Sequence, residues 1–290
     1  MATTELLACN EAYDSGAMTA ELPDDMELVD DMYSSMLAQE RRQHVYAPQR
    51  HYLKIRLILV DWISDVGDEL QLPKAIVHLA VSYLDRLLNV STPLPPQSKL
   101  QLICLVCLMI AAKFGGIDCE VPSMEEIYAY GHQQYSIEDI KACELATLTA
   151  LEWRLSAVLP INFAEFYLTC ESPVYADDEL DNRHQVVDPT MYLNLLAKHV
   201  DFVSEMVLQE FAFQQWLPSV LATAIICVAR RILHISSVWR DELELMSGYV
   251  PSDVEGCFHA MWMHYVHHFA NSKQNEEEEQ SPQSVASYPS

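Results

Sequence analysis

Glycine is scarce in this 290-residue chain, at 7 residues, and no stretch alternates apolar and polar side chains for long. Sheet-rich folds rely on turn glycines and period-two patterning, so their shortage favours helix. Basic residues are also few, with 17 Lys and Arg against 42 Asp and Glu and a net charge of −25. Surfaces that grip a nucleic-acid backbone are basic, so direct nucleic-acid binding is not expected. The longest fully apolar run, 102–112, is shorter than the about 20 residues that a membrane helix needs. No basic segment followed by an apolar stretch opens the chain, so a soluble protein of a reducing compartment, nucleus and cytoplasm, is expected. Neither a glycine-rich phosphate loop nor a Ser-His-Asp pattern is present, and no catalytic residue is assigned.

Metal chemistry finds little support. Of eight cysteines, most lie in apolar helical runs, where a free thiol acts as a small hydrophobe. Cys104 and Cys107 form a C-x-x-C string, but it sits inside an apolar helix with no second pair. His264 and His268 have helical i, i+4 spacing without the glutamate of H-E-x-x-H, and His259 and His267 lie beside them. No metal and no cofactor are expected.

Half of the residues are apolar, in long runs rich in Leu, Ala and Met. Periodicity places helices near 26–37, 50–67, 73–89, 96–113, 123–130 and 136–153. A second set follows near 161–169, 189–206, 217–233, 239–247 and 251–268. Pro73 and Pro96 suit first-turn positions, Gly67, Gly115, Gly116 and Gly131 mark stops, and Ser252 and Asp253 offer caps for the last helix. The segment 171–187 is read as a polar connection. Residues 102–112 and 217–229 are apolar almost all round, so each must be enclosed by other helices. Two buried helices roughly 115 residues apart suggest duplication of one small helical domain. The expected layout is an acidic disordered tail (1–25), a first domain with an N-terminal helix (26–158), a second domain (159–270) and an acidic disordered tail (271–290).

The segment 54–88 is unusual because charges sit within excess apolar surface: K-I-R-L-I-L-V-D-W-I-S-D-V-G, then H-L-A-V-S-Y-L-D-R-L-L. With K-L-Q-L at 99–102, A-A-K-F at 111–114, L-E-W-R-L at 151–155, L-P-S-V-L-A at 217–222 and G-Y at 248–249, the chain resembles the cyclin family over about 26–268. The resemblance implies an all-α protein of two tandem five-helix bundles with no catalytic site of its own. It implies a regulatory subunit that binds and activates a cyclin-dependent serine/threonine kinase and recruits substrates.

Arg56 shares a helix side with Val60 and Ile63, and a buried guanidinium needs a carboxylate, for which Asp85 is the natural candidate. The matching residues pair in the family. Leu57, Val60 and Ile63 are assigned to the core. Ile55, Ile58, Leu59 and Trp62 form a further apolar stripe. The resemblance makes it a docking groove for Arg-x-Leu peptides of substrates and inhibitors, framed by Asp65 and Gln101. It also assigns kinase contact to Lys113, Phe114 and Glu144. Gly115 and Gly116 stand where family members commonly carry two glutamates, a departure that bears on the choice of kinase.

Two terminal strings complete the reading. Leu7, Cys9 and Glu11 form L-x-C-x-E, the peptide by which D-type cyclins bind the pocket of the retinoblastoma protein. Ser281-Pro282 beside four glutamates is a candidate phosphosite. The L-x-C-x-E string points to a D-type cyclin of the G1/S transition, and L-V-D-W at 59–62 is similar to mitotic cyclins, so an A/B-type assignment stays open. So do a transcription-factor-IIB-like adaptor, opposed by the net charge, and an adaptor that does not activate a kinase.

Overall fold

The computed structural model describes residues 26–43, 50–90, 93–116, 121–130, 135–170, 172–181 and 184–270. The L-x-C-x-E string, Gly131 and Ser281 lie outside them. The described residues form eleven α-helices and no ladder of paired strands, only two isolated bridges at Glu179–Gln185 and Leu180–Ile235. Helix α1 is Met26–Glu40. Helices α2 (Arg50–Glu69), α3 (Lys74–Val90), α4 (Gln97–Gly115), α5 (Met124–Tyr130) and α6 (Ile137–Ala150) make the first bundle. Helices α7 (Pro160–Cys170), α8 (Pro189–Gln209), α9 (Pro218–Ile232), α10 (Asp241–Ser247) and α11 (Pro251–Tyr265) make the second.

Each bundle is built on one enclosed helix. Residues 102–112 of α4 are all buried, as are 219–230 of α9. By length and composition α4 could cross a membrane, which the run 102–112 alone does not show, but here the bundle itself covers it. The other helices place one apolar stripe against these axes. In α2 the buried stripe is Tyr52, Arg56, Val60, Ile63 and Val66, at helical spacing. Leu57, expected in the core, is 51% exposed instead, because it falls about 100° from Arg56 around the helix.

Glycine, proline and cap residues act differently from expectation at four places. Gly67 does not stop α2. It is buried inside the helix, where a Cβ would lie 2.5 Å from Val77 Cγ2, so the glycine permits the close crossing of α2 and α3. The helix runs on to Glu69, and Gln71 turns the chain with a φ of 54°. Pro73 and Pro96 precede α3 and α4 rather than entering their first turns. Helix α11 begins at Pro251, with Asp253 accepting from the Val250 N–H at 3.3 Å, so Ser252 and Asp253 lie within the first turn.

Helix α1 packs on the second bundle, not on the first. Val29, Tyr33, Met36 and Leu37 touch the second core. The Tyr33 hydroxyl donates to the Ser247 carbonyl at 2.7 Å, and its ring stacks on Phe166 at 5.4 Å. Glu40, 3% exposed, accepts from Ser219 N at 3.0 Å and Oγ at 2.7 Å, placing a carboxylate on the first turn of α9, where the helix dipole favours it. The stripe on α2 is therefore not covered by the N-terminal helix.

Candidate functional site

The first charged feature of α2 is a brace. Arg56 donates from Nε to Asp85 Oδ1 at 2.8 Å and from Nη2 to Oδ2 at 2.9 Å. Tyr52 also donates to Oδ1. Both charged side chains are almost fully buried. Burial pulls the guanidinium pKa down, but the Asp85 carboxylate overrides this and holds it above its ordinary value. The second bundle completes the shell. Arg56 Nη1 donates to the Gln209 carbonyl at 2.7 Å, Gln214 Nε2 donates to Asp85 Oδ2 at 2.6 Å, and the guanidinium lies 5.3 Å from the Phe211 ring centroid. Gln214 and Phe211 belong to a short 3-10 turn, Phe211–Gln215, that periodicity did not reveal. Asp61, the other charge set within the apolar run 55–63 of α2, stays exposed and accepts from Gln209 Nε2 at 3.0 Å.

The apolar stripe divides. Ile55, Leu59 and Trp62 are half-buried against the first core, whereas Ile58 is 68% exposed. Leu53 and Leu57 extend the exposed apolar surface on the same helix. Asp65 is exposed at the C-terminal side of the stripe, and Gln101 is half-buried on the adjacent α4. The arrangement is a shallow apolar surface with a carboxylate near one end.

Lys113, on the last turn of α4, and Glu144, midway along α6, are brought together. Lys113 Nζ donates to Glu144 Oε1 at 2.7 Å. Phe114 beside Lys113 and Leu145 beside Glu144 are exposed, as is Ile137 two turns earlier on α6. An exposed ion pair of this kind contributes about 0–1 kcal/mol, so both groups can exchange each other for partners on another protein at little cost. Gly115 follows directly, where a Cβ would lie 3.0 Å from Ile76 Cδ1. Helix α6 itself begins with a capping box, Ser136 and Asp139 bonding reciprocally, and ends at Ala150, before the expected 153. Glu152 and Trp153 adopt positive φ there.

A second buried ion pair lies in the segment read as a polar connection. Arg230, fully buried at the end of α9, donates to Asp178 from Nη1 at 3.0 Å and Nη2 at 2.8 Å, and to the carbonyls of Pro173 and Ser237. Arg240 adds a contact to Asp178 at 3.2 Å. The available signal was Arg230 ending an otherwise apolar run, which demands a carboxylate just as Arg56 does.

Burial pushes the thiol of Cys104 up to about 12 and that of Cys107 well above its ordinary value, which suits core packing and opposes thiolate ligation. His264 and His268 lie with ring centroids 4.4 Å apart and tilted by 37°, and among the described residues no group of three or more His, Cys, Asp or Glu is placed to hold a metal ion.

Comparison with known proteins agrees with this architecture. A family model described as "Cyclin, N-terminal domain" matches residues 31–156, and one described as "Cyclin, C-terminal domain" matches 158–288. The chain is 30% identical to a Cyclin-D of Ostreococcus tauri, covering 80% of this chain and 62% of that protein. It is 27% identical to the G2/mitotic-specific cyclin S13-6 of Glycine max, covering 80% and 47% respectively. It therefore spans about half to three-fifths of the length of these relatives. The fold is similar to that of a viral cyclin from herpesvirus saimiri, with a TM-score of 0.61 at 15% identity, over 84% of this chain and 99% of that one. It is also similar to a chain in the CAK complex of Chaetomium thermophilum, with a TM-score of 0.57 at 16% identity, over 87% and 78%. With both halves matched by family models and each half forming a five-helix bundle, the chain belongs to the cyclin family.

Proposed function

We propose that this chain is a non-catalytic regulatory subunit that binds and activates a cyclin-dependent serine/threonine kinase. The observation that carries the reading is the Lys113–Glu144 pair at the surface, with exposed Phe114, Leu145 and Ile137 on the same two helices. A cation, an anion and exposed apolar side chains suit a kinase helix that presents backbone groups and apolar side chains. Such contact orients the helix glutamate toward the catalytic lysine. Membership of the cyclin family supports the same reading.

The finer reading is a nuclear and cytoplasmic cyclin of the G1/S transition. It recruits Arg-x-Leu substrates and inhibitors through Ile55, Ile58, Leu59 and Trp62, with Asp65 and Gln101 as polar partners. Leu7, Cys9 and Glu11 engage a retinoblastoma-family protein, and Ser281 is a phosphosite. The Cyclin-D relative supports this subtype, and the mitotic-specific relatives favour an S- or M-phase alternative. Affinity purification of the tagged full chain, followed by identification of the co-purifying kinase and a kinase assay, tests the function. The chain is expected to raise kinase activity, and Lys113→Ala with Glu144→Ala to abolish co-purification without unfolding the protein. A folded double variant that keeps the kinase overturns the assignment of this surface. Absence of any activated kinase overturns the function.

A further inference from the structure

A cleft of about 310 Å³ lies where the two bundles meet, between α3, α8, the linker at 154–160 and the 3-10 turn. Two residues lining it carry polar atoms with no hydrogen-bond partner among the described residues, His78 Nε2 and Ser204 Oγ. His78 is 4% exposed and Ser204 1% exposed. Unpartnered buried polar atoms are costly, and two of them on one cleft mark a place built to meet something else. Burial, helped by Lys74, lowers the His78 pKa to about 3, so the ring is neutral at physiological pH and offers a hydrogen bond without a charge.

The charge around the cleft runs against the character of the chain. Arg42, Arg86 and Arg154 all line it. Among the described residues Arg154 pairs only with exposed Glu152, and neither Arg42 nor Arg86 is in an ion pair. Arg86 spends one donor, at 3.4 Å, on the Leu151 carbonyl. Of the two carboxylates that line the cleft, Asp85 is paired with Arg56, whereas Glu40 has hydrogen bonds from Ser219 and no cation among the described residues, so the lining arginines outnumber lining carboxylates without a cation by three to one. In a protein of net charge −25, three arginines at one cleft form a local anion attractor. The walls between are apolar, with Val81, Val207, Leu208, Phe213 and Leu221. The volume is at the small end of the range typical of ligand pockets, about 300–1,000 Å³.

We propose that this inter-bundle cleft binds a small amphipathic anion, with its apolar body between α3 and α8, its carboxylate or other oxyanion on the arginine rim, and hydrogen bonds to His78 and Ser204. The chemistry is supplied either by a free organic acid or by adjacent apolar and acidic side chains of a docked peptide. Lys113 and Glu144 do not line the cleft, so the proposal stands independently of the kinase surface.

The test titrates the full chain with 8-anilinonaphthalene-1-sulfonate, an aromatic amphipathic anion, by fluorescence and calorimetry. One site per chain is expected, with binding at least tenfold tighter than that of uncharged N-phenyl-1-naphthylamine. Arg42→Gln with Arg86→Gln is expected to weaken the sulfonate at least tenfold, and Ser204→Ala severalfold, at unchanged melting temperature. If Arg86→Gln disturbs folding, Arg42→Gln with Arg154→Gln, both at exposed positions, carries the same expectation. Displacement by octanoate alone assigns the site to a free acid, and displacement by acetyl-Leu-Glu-amide assigns it to a peptide. Equal affinity for the two dyes, no loss in folded arginine variants, or no displacement by either competitor overturns the proposal.

Discussion

Arg56 and Asp85 form a two-pronged ion pair inside the first bundle, yet its outer shell belongs to the second. Gln209 accepts from the guanidinium and Gln214 donates to the carboxylate. The pair is therefore both a core element and a clamp between bundles. Asp85→Ala is expected to destabilise the protein by about 3–5 kcal/mol, because it strands a buried guanidinium. Gln214→Ala removes only the outer bond, and its expected cost of about 1.5–3 kcal/mol is that of a hydrogen bond to a charged group. Urea denaturation followed by tryptophan fluorescence checks both, and an unchanged midpoint in Asp85→Ala refutes the clamp.

Asp178 plays the corresponding part in the second bundle. It is buried, lies in a segment of irregular backbone and holds the fully buried Arg230. Asp178→Ala should cost about 3–5 kcal/mol by the same argument. Its effect should fall on the second bundle: amides of α9 and of 172–181 lose hydrogen-exchange protection first, while those of α4 keep theirs. Simultaneous loss across both bundles would show that the two unfold as one unit.

The contrast between these pairs shows what the sequence could reveal. Arg56 and Asp85 were legible because both stand in periodic helices, where a charge on an apolar face is conspicuous. Asp178 was hidden because it comes from a polar stretch in which nothing distinguishes one acidic residue from its neighbours. Its burial depends on where the chain returns to the end of α9. Helix spans were largely readable from periodicity, and the two enclosed helices from their lack of a polar face. The placement of α1 on the second bundle was not readable, since it rests on long-range contacts, Glu40 with Ser219 and Tyr33 with Ser247 and Phe166, that no local pattern announces. Gly67 misled for a related reason: a glycine that allows two helices to touch looks, in one dimension, like a glycine that ends one.

On α2, exposure separates residues that hold the bundle from residues free to bind. Ile58 is largely exposed, so Ile58→Asp is expected to change stability by less than about 0.5 kcal/mol. A charge at the centre of the stripe should nevertheless abolish binding of an Arg-x-Leu peptide, measured by fluorescence anisotropy. Trp62 is half-buried against the core, so Trp62→Ala should cost stability as well as about 2 kcal/mol or more in peptide affinity. Full peptide binding by a folded Ile58→Asp variant would remove the groove from this surface.

Glu165 on α7 supplies a pH dependence whose sign is fixed. Burial, reinforced by the nearby Asp201 charge, raises its pKa to about 7, above the ordinary 4.5. Between these values the folded state holds a proton that the unfolded state has released, so this group's contribution to stability falls as pH rises from about 4.5 to 7 and is level above. His78 acts oppositely: its pKa is lowered to about 3 from 6.5, so stability from this group is lost as pH falls below 6.5. The two slopes partly cancel near pH 5–6, and the wild-type profile alone does not separate them. Glu165→Gln removes the carboxylate term. Relative to wild type, the variant should gain stability as pH rises from 4.5 to 7, reaching a difference on the order of 3 kcal/mol. Paired urea melts at pH 5 and pH 8 measure it. A difference that stays constant, or that shrinks with rising pH, shows that Glu165 titrates as an ordinary surface carboxylate.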